Sequence, residues 1–157
     1  MVSTPEEKRK SILDELNLET RLSSSLTVLF SQAVAEQLGV HSTDVETLDL
    51  LHLMGPMTAG RLAEVTGLTT GATTRLIDRM ERAGFARRRP DLEDRRRVIV
   101  EWSMESAGRI MPLFIPLGSR LGELWDRYSD EELALVLDFT RRTNEILADE
   151  NKRLRRP

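Results

Sequence analysis

The sequence predicts a mainly α-helical protein, of class α+β, in which one short β-hairpin interrupts the helices. Three observations predict it. Apolar residues recur every three or four positions along both terminal thirds, two short helical patterns meet at a glycine near the middle, and a segment of period two follows them. Because 157 residues suffice for one hydrophobic core, we expect a single domain over residues 1–157.

Two helical patterns occupy the first third of the chain. Apolar spacing predicts a helix from Pro5 to about Leu38, and Gly39 is the residue type that commonly ends one. Thr43, followed three positions later by Glu46, predicts a capping box at the start of a second helix. A Gly-Pro pair at 55–56 predicts its end.

The middle of the chain predicts two short helices, from Thr58 to Thr66 and from Thr69 to Ala83. Helices that cross steeply need a small residue where they touch and a flexible residue at the corner, which Ala63 and Gly67 supply. This is the helix-turn-helix arrangement, whose second helix enters the DNA major groove.

A β-hairpin is predicted directly after these helices. Its strands are Phe85 to Arg89 and Arg97 to Ser103, around the polar loop Pro90 to Asp94. A hairpin in this place is the wing of a winged helix-turn-helix lobe, which we expect over about residues 43–103.

The C-terminal third returns to helix. One helical stretch is expected from Met104 to about Arg127, with a kink or break at Pro112 and Pro116, because proline lacks a backbone donor and crowds the preceding turn. Ser129 with Glu132 predicts the capped start of a last helix.

The terminal helices, about 5–39 and 104–150, are apolar on more than one side and belong to no obvious second lobe. We therefore expect a second copy of the chain to bury them in a homodimer. In a two-fold dimer the two recognition helices would lie roughly 34–36 Å apart, one turn of DNA.

Positive charge is concentrated in one segment, although the whole chain carries −3. The formal charge is −5 over residues 1–60, +4 over 61–97 and −2 over 98–157, and every basic residue of the middle segment is arginine. A DNA phosphate senses this local patch rather than the total. Charge alone does not exclude the alternative that these arginines form an ordinary solvated surface.

The candidate DNA-binding residues lie in the first turns of the second short helix and in the hairpin. Small, hydroxyl-bearing and cationic residues suit a helix end in a groove, and wing arginines suit the narrow minor groove. Thr73 is expected to point inward, and Asp94 to orient an arginine. The candidates are Thr70, Gly71, Thr74, Arg75, Arg79, Arg88, Asp94, Arg95, Arg96 and Arg97.

The same residues resemble the MarR family of winged helix regulators. The matching stretches are MTAGRLAEVTGLTTGATTRLIDRMERAGFARRR and DLEDRRRVIVEWS, in which Asp94-Arg95-Arg96 is similar to the family's wing-tip motif. The resemblance implies a homodimeric regulator, in most cases a repressor, bound to pseudo-palindromic double-stranded DNA. Departures are Thr73 at a usually apolar position, Trp102 where leucine is commoner, and the two prolines in a helix that is normally continuous.

The resemblance also implies a small-molecule effector, often aromatic or phenolic, in a cleft between the dimer helices and the DNA-binding lobe. Binding there would release the DNA by favouring one of two states. Plain core packing is the alternative for each residue. The candidates are Phe30, Leu51, His52, Met111, Phe114 and Ile115.

Other classes of function are disfavoured. We find no phosphate loop or nucleophile–base pairing that would indicate an enzyme, and we expect no cofactor. His41 and His52 without a clustered carboxylate make a weak metal site, and the absence of cysteine excludes thiol sensing. No membrane partner is expected, since no stretch approaches about 18 apolar residues, and the N-terminus lacks a signal core, which indicates the cytoplasm. One alternative function remains, a winged helix that binds another protein, although such a helix should show exposed apolar anchor residues.

Overall fold

The computed structural model describes residues 4–94 and 97–155, and the chain divides into two compact units, Met1–Met57 and Thr58–Pro157. Six α-helices and three short strands follow one another in these described ranges. Within the same ranges no helix is long and apolar enough to cross a membrane.

The first unit contains α1 (Pro5–Leu38) and α2 (Ser42–Met54), which pack against each other. The predicted bounds of α1 are confirmed, with Gly39 ending it at φ 67°. The predicted cap of α2 is wrong. The helix begins two residues earlier, after His41, and the buried Asp44 accepts from the His41 backbone N–H at 3.2 Å.

The second unit begins with the predicted pair of short helices, α3 (Ala59–Thr66) and α4 (Thr70–Arg82). Thr58 and Thr69 cap them, and the corner residue Gly67 adopts the left-handed conformation at φ 71°. The helices and the corner agree with the prediction, so the helix-turn-helix is confirmed.

A three-stranded sheet completes this lobe in the order β1-β3-β2, with β1 (Met57–Thr58), β2 (Ala86–Pro90) and β3 (Val98–Trp102). The hairpin strands agree with the predicted bounds within one residue, and Arg88 lies opposite Val100 in their antiparallel register. The two-residue β1 was not predicted, because so short a strand has no period. The core of the unit consists of Leu62, Leu76, Ile77, Met80, Phe85, Ala86, Val100 and Ile110.

The C-terminal helices are α5 (Ala107–Trp125), after a single 3-10 turn over Met104–Ser106, and α6 (Asp130–Leu154). The chain does not break at the prolines: α5 runs through Pro112 and Pro116. Proline keeps the φ that a helix needs, and the two carbonyls left without helical donors, at Gly108 and Pro112, lie at exposed positions where water serves them. The predicted capping box of Ser129 and Glu132 opens α6.

Candidate nucleic-acid interface

The N-terminus of α4 presents a polar helix end. The Thr69 hydroxyl accepts from the Ala72 backbone N–H at 3.3 Å, and the Thr69 carbonyl accepts from Thr73 at 2.9 Å. Thr70 and Gly71 follow at exposed positions. Since the first N–H groups of a helix have no intrahelical acceptor, this end can hold an anion.

The outward face of α4 carries the predicted polar residues. Thr70, Gly71, Thr74 and Arg75 are exposed, and Arg79 is half-buried. The Arg75 guanidinium lies back over the first turn, with Nη1 3.8 Å from the position that a Cβ on Gly71 would take. The cation therefore lies beside the helix end.

Thr73 lies on the opposite face, as predicted. Its side chain is 1% exposed, and its hydroxyl donates to the Thr69 carbonyl at 3.0 Å. The local hydrogen bond explains how a hydroxyl is tolerated at a position that is apolar in the resemblance.

The loop of the wing is closed by Asp91, Asp94 and Arg97. Asp91 donates its backbone N–H to the Arg97 carbonyl at 3.0 Å, and Arg97 donates its own to the Asp94 carbonyl at 2.8 Å. The Asp94 carboxylate also lies 3.4 Å from the Arg97 guanidinium, whose side chain is 66% exposed. Of the predicted wing arginines, Arg95 and Arg96 lie outside the described residues.

Two arginines at the base of the wing are paired with one carboxylate. Glu101 on β3 contacts Arg87 at 2.6 Å and Arg89 at 2.8 Å, both through Nε. Hydrogen bonds from Arg89 and Arg87 lower the pKa of Glu101 below its ordinary value of 4.5, against the effect of burial. These two ion pairs were not predicted from the sequence, and they follow once the register places Arg87 opposite Glu101.

Arg88, a predicted DNA contact, faces the other side of β2 and binds α4. Its guanidinium contacts Asp78 at 2.6 Å and also pairs with Glu81, while its backbone N–H donates to Glu81 at 2.7 Å. Burial alone would lower the pKa of Arg88, but the hydrogen bonds to the two carboxylates outweigh it and raise the pKa. The feature of the sequence that could have indicated this contact is the presence of two acidic residues, Asp78 and Glu81, three positions apart and shortly before the hairpin.

The six candidate effector residues fall in different units. In the first unit Leu51 is buried, Phe30 is half-buried and His52 is exposed. In the second unit Phe114 is half-buried, whereas Met111 and Ile115 are exposed on α5. Their grouping into one cleft stays a prediction.

A pair of short helices joined at a glycine corner, whose second helix has a polar outer face, is followed by a three-stranded sheet with an arginine-bearing hairpin. This arrangement defines a winged helix-turn-helix protein. Comparison with known proteins gives the same class. The sequence model of the MarR family matches residues 40–98. The HTH-type transcriptional regulator YcgE of Bacillus subtilis is 43% identical over 129 residues, which cover 82% of this chain and 84% of YcgE.

Solved structures share the fold. A MarR family protein from Bacillus stearothermophilus matches with a TM-score of 0.65 at 20% identity, over 88% of this chain and 96% of that one. A mutant MarR from E. coli, complexed with operator DNA, matches with a TM-score of 0.50 at 22% identity, over 83% of this chain and 96% of that one. The chain belongs to the MarR family. It is a DNA-binding transcriptional regulator and not an enzyme.

Proposed function

We propose that the protein is a homodimeric repressor that binds a pseudo-palindromic operator through α4 and the wing. The observation that carries this proposal is the exposed polar end of α4, with Thr70, Gly71, Thr74 and Arg75 outward, beside a hairpin that presents Arg97. The E. coli neighbour complexed with operator DNA has the same fold. Cytoplasmic location goes with this role, since the operator lies there.

In the proposed complex the N-terminal turns of α4 enter the major groove. The helix end receives a phosphate, and Arg75 reaches a guanine edge or the backbone. Arg97, and with it Arg95 and Arg96, contacts the adjacent minor groove, whose negative potential attracts guanidinium groups. Asp94 then acts by orienting Arg97 rather than by touching DNA.

The homodimer is supported by the apolar surface of the terminal helices. Every residue of α6 is at least partly exposed, and isolated helices are marginal in water without packing. Helix α1 has exposed apolar residues as well, and a two-fold interface with a second copy of the chain would bury both sets. The exposed apolar residues of the two helices are Ile12, Leu13, Leu16, Leu18, Leu22, Leu26, Val28 and Leu29 on α1, and Leu135, Val136, Leu137, Phe139, Ile146, Leu147 and Leu154 on α6.

Dimerisation is tested by a charge on this surface. Phe139→Glu places a carboxylate on a side chain that is 48% exposed in the single chain, and should convert the dimer to a monomer by light scattering. Arg141→Glu adds the same group on the charged side of α6, between Asp138 and Glu145, and should stay dimeric. A wild-type protein that is monomeric at micromolar concentration would refute the dimer.

DNA binding is tested with a duplex recovered from a random-sequence library by selection against the wild-type protein. Binding should weaken with salt, and Arg97→Ala should lower the slope of log affinity against log salt by about 1.8, the value for two lost cationic contacts, one from each protomer. Failure to enrich any sequence at low salt would refute the proposed function. Release by phenols is tested separately, by titrating the complex with a series of small aromatic compounds.

A further inference from the structure

The strand β2 is joined to the recognition helix α4 through the side chain of Arg88. Asp78 and Glu81 stand three residues apart on one face of α4, and Arg88 reaches both from β2. Glu81 is bound twice, since it also accepts the backbone N–H of Arg88 at 2.7 Å. The contact therefore fixes the strand itself as well as its side chain.

The position of Glu81 is unfavourable for α4 itself. Carboxylates near a helix C-terminus oppose the macrodipole, and Glu81 lies in the last turn of α4, which ends at Arg82. Among the described residues, the ion pairs of Asp78 and Glu81 are those to Arg88. An acid in a DNA-binding lobe also repels phosphate, so these positions weaken simple electrostatic attraction.

The ion pairs of Arg88 with Asp78 and Glu81 are partly shielded from water, so they constrain the position of β2 relative to α4. The side chains of Arg88 and Glu81 are 29% and 30% exposed, whereas the flanking Arg87 is 68% exposed. A guanidinium that bridges two carboxylates uses its planar fork and fixes direction as well as distance. The wing can then rotate about its base less freely relative to α4.

We propose that Arg88 is a positioning residue for DNA recognition, which sets the angle of the wing to α4 through Asp78 and Glu81. This inference rests on the proposed function, because it concerns the simultaneous fit of α4 and the wing to adjacent grooves. A wing that is free to swing still carries its arginines but loses part of its affinity, because binding must then fix it.

The isosteric change Glu81→Gln separates this idea from electrostatics. It removes a negative charge, so charge alone predicts equal or tighter DNA binding. A positioning role predicts weaker binding, by about tenfold, within the range found for residues that couple two elements. Arg88→Met should cause a similar loss, and the double variant should lose no more than either single one, because both remove the same contact.

The salt dependence separates positioning from direct contact. Glu81→Gln and Arg88→Met should leave the slope of log affinity against log salt unchanged, whereas Arg97→Ala lowers it. Glu64→Gln is the matched control, because Glu64 also pairs with an arginine, Arg61 at 2.6 Å, but within α3. Its affinity should equal or slightly exceed that of the wild type.

The assay uses the full-length protein and the selected duplex, at a temperature at which circular dichroism shows each variant folded. Arg88→Lys keeps one charge but not the fork, and should recover part of the affinity. If Arg88→Met does not fold, the Glu81→Gln comparison still decides. Wild-type affinity in Glu81→Gln, or a lowered slope in Arg88→Met, would overturn the positioning role and leave the proposed function standing. Absence of wild-type binding would refute the proposed function itself.

Discussion

Replacing Glu101 by glutamine should destabilise the protein at neutral pH and do so less in acid. The side chain is 14% exposed and holds two arginines at once, Arg87 and Arg89, through separate oxygens. These partners are 68% and 37% exposed, so water screens both pairs and each is worth about 0.5 kcal/mol. We therefore expect Glu101→Gln to lower the free energy of unfolding by about 1 kcal/mol at neutral pH.

The pH dependence follows from the direction of the pKa shift. Folding lowers the pKa of Glu101 below 4.5, so the folded state binds the proton less readily than the unfolded chain. The stabilisation is fully present above 4.5 and disappears as the pH falls through the lower value of the folded state. Because glutamine does not titrate, the difference between the two proteins should shrink on acidification.

The measurement is urea unfolding of wild type and Glu101→Gln, followed by circular dichroism, at neutral pH and at a pH well below 4.5. The other carboxylates titrate in both proteins and cancel in the difference. Asp138→Asn, which removes an exposed carboxylate paired with Arg142 on α6, is the control and should change stability by less than about 0.5 kcal/mol. An equal loss of stability at both pH values would show that Glu101 acts by packing and not by charge.

Three further substitutions test other contacts by thermal unfolding. Thr73→Val should stabilise the protein by about 0.5–1 kcal/mol, because it buries a methyl group where a hydroxyl now uses a local bond; a loss would show that this bond matters more. Arg109→Ala should cost about 1–2 kcal/mol, since its guanidinium lies 4.3 Å from the centre of the buried Phe85 ring and bonds the Ala83 carbonyl. No change there would mean that solvent replaces both contacts. Gly67→Ala should cost about 1–2 kcal/mol, because the corner has the left-handed φ of 71°, which a residue with a Cβ adopts only at a cost; unchanged stability would contradict the left-handed corner.

Local chemistry made much of the fold predictable. Thr69 followed by a helical pattern, Gly67 at the corner and Ser129 with Glu132 each act within one turn of backbone, so their effect can be read without tertiary structure. The cap of α2 was missed for a related reason. Two overlapping capping boxes are possible there, His41 with Asp44 and Thr43 with Glu46. The first one forms, because the Asp44 carboxylate is buried against the His41 backbone.

The candidate site was only partly predictable. Exposure of Thr70 and Arg75 follows from helix periodicity, because it needs only the phase set by the buried Leu76 and Ile77. The partners of the β2 arginines depend on the register of the hairpin and on its placement against α4, which no local pattern encodes. Arg88 therefore looked like a groove contact in the sequence, although the structure places it between two carboxylates.

The pairing of β2 has a consequence for how the protein would search a genome. Its three consecutive arginines are matched by three carboxylates, so the base of the wing releases few counterions on random DNA. Affinity for the millions of competing sites depends on such cations, whereas in the proposed complex the operator is recognised by the helix end and the wing loop. A neutral base thus lowers background occupancy by a larger fraction than it lowers operator binding, and in the proposed complex it leaves more of each regulator available for its operator.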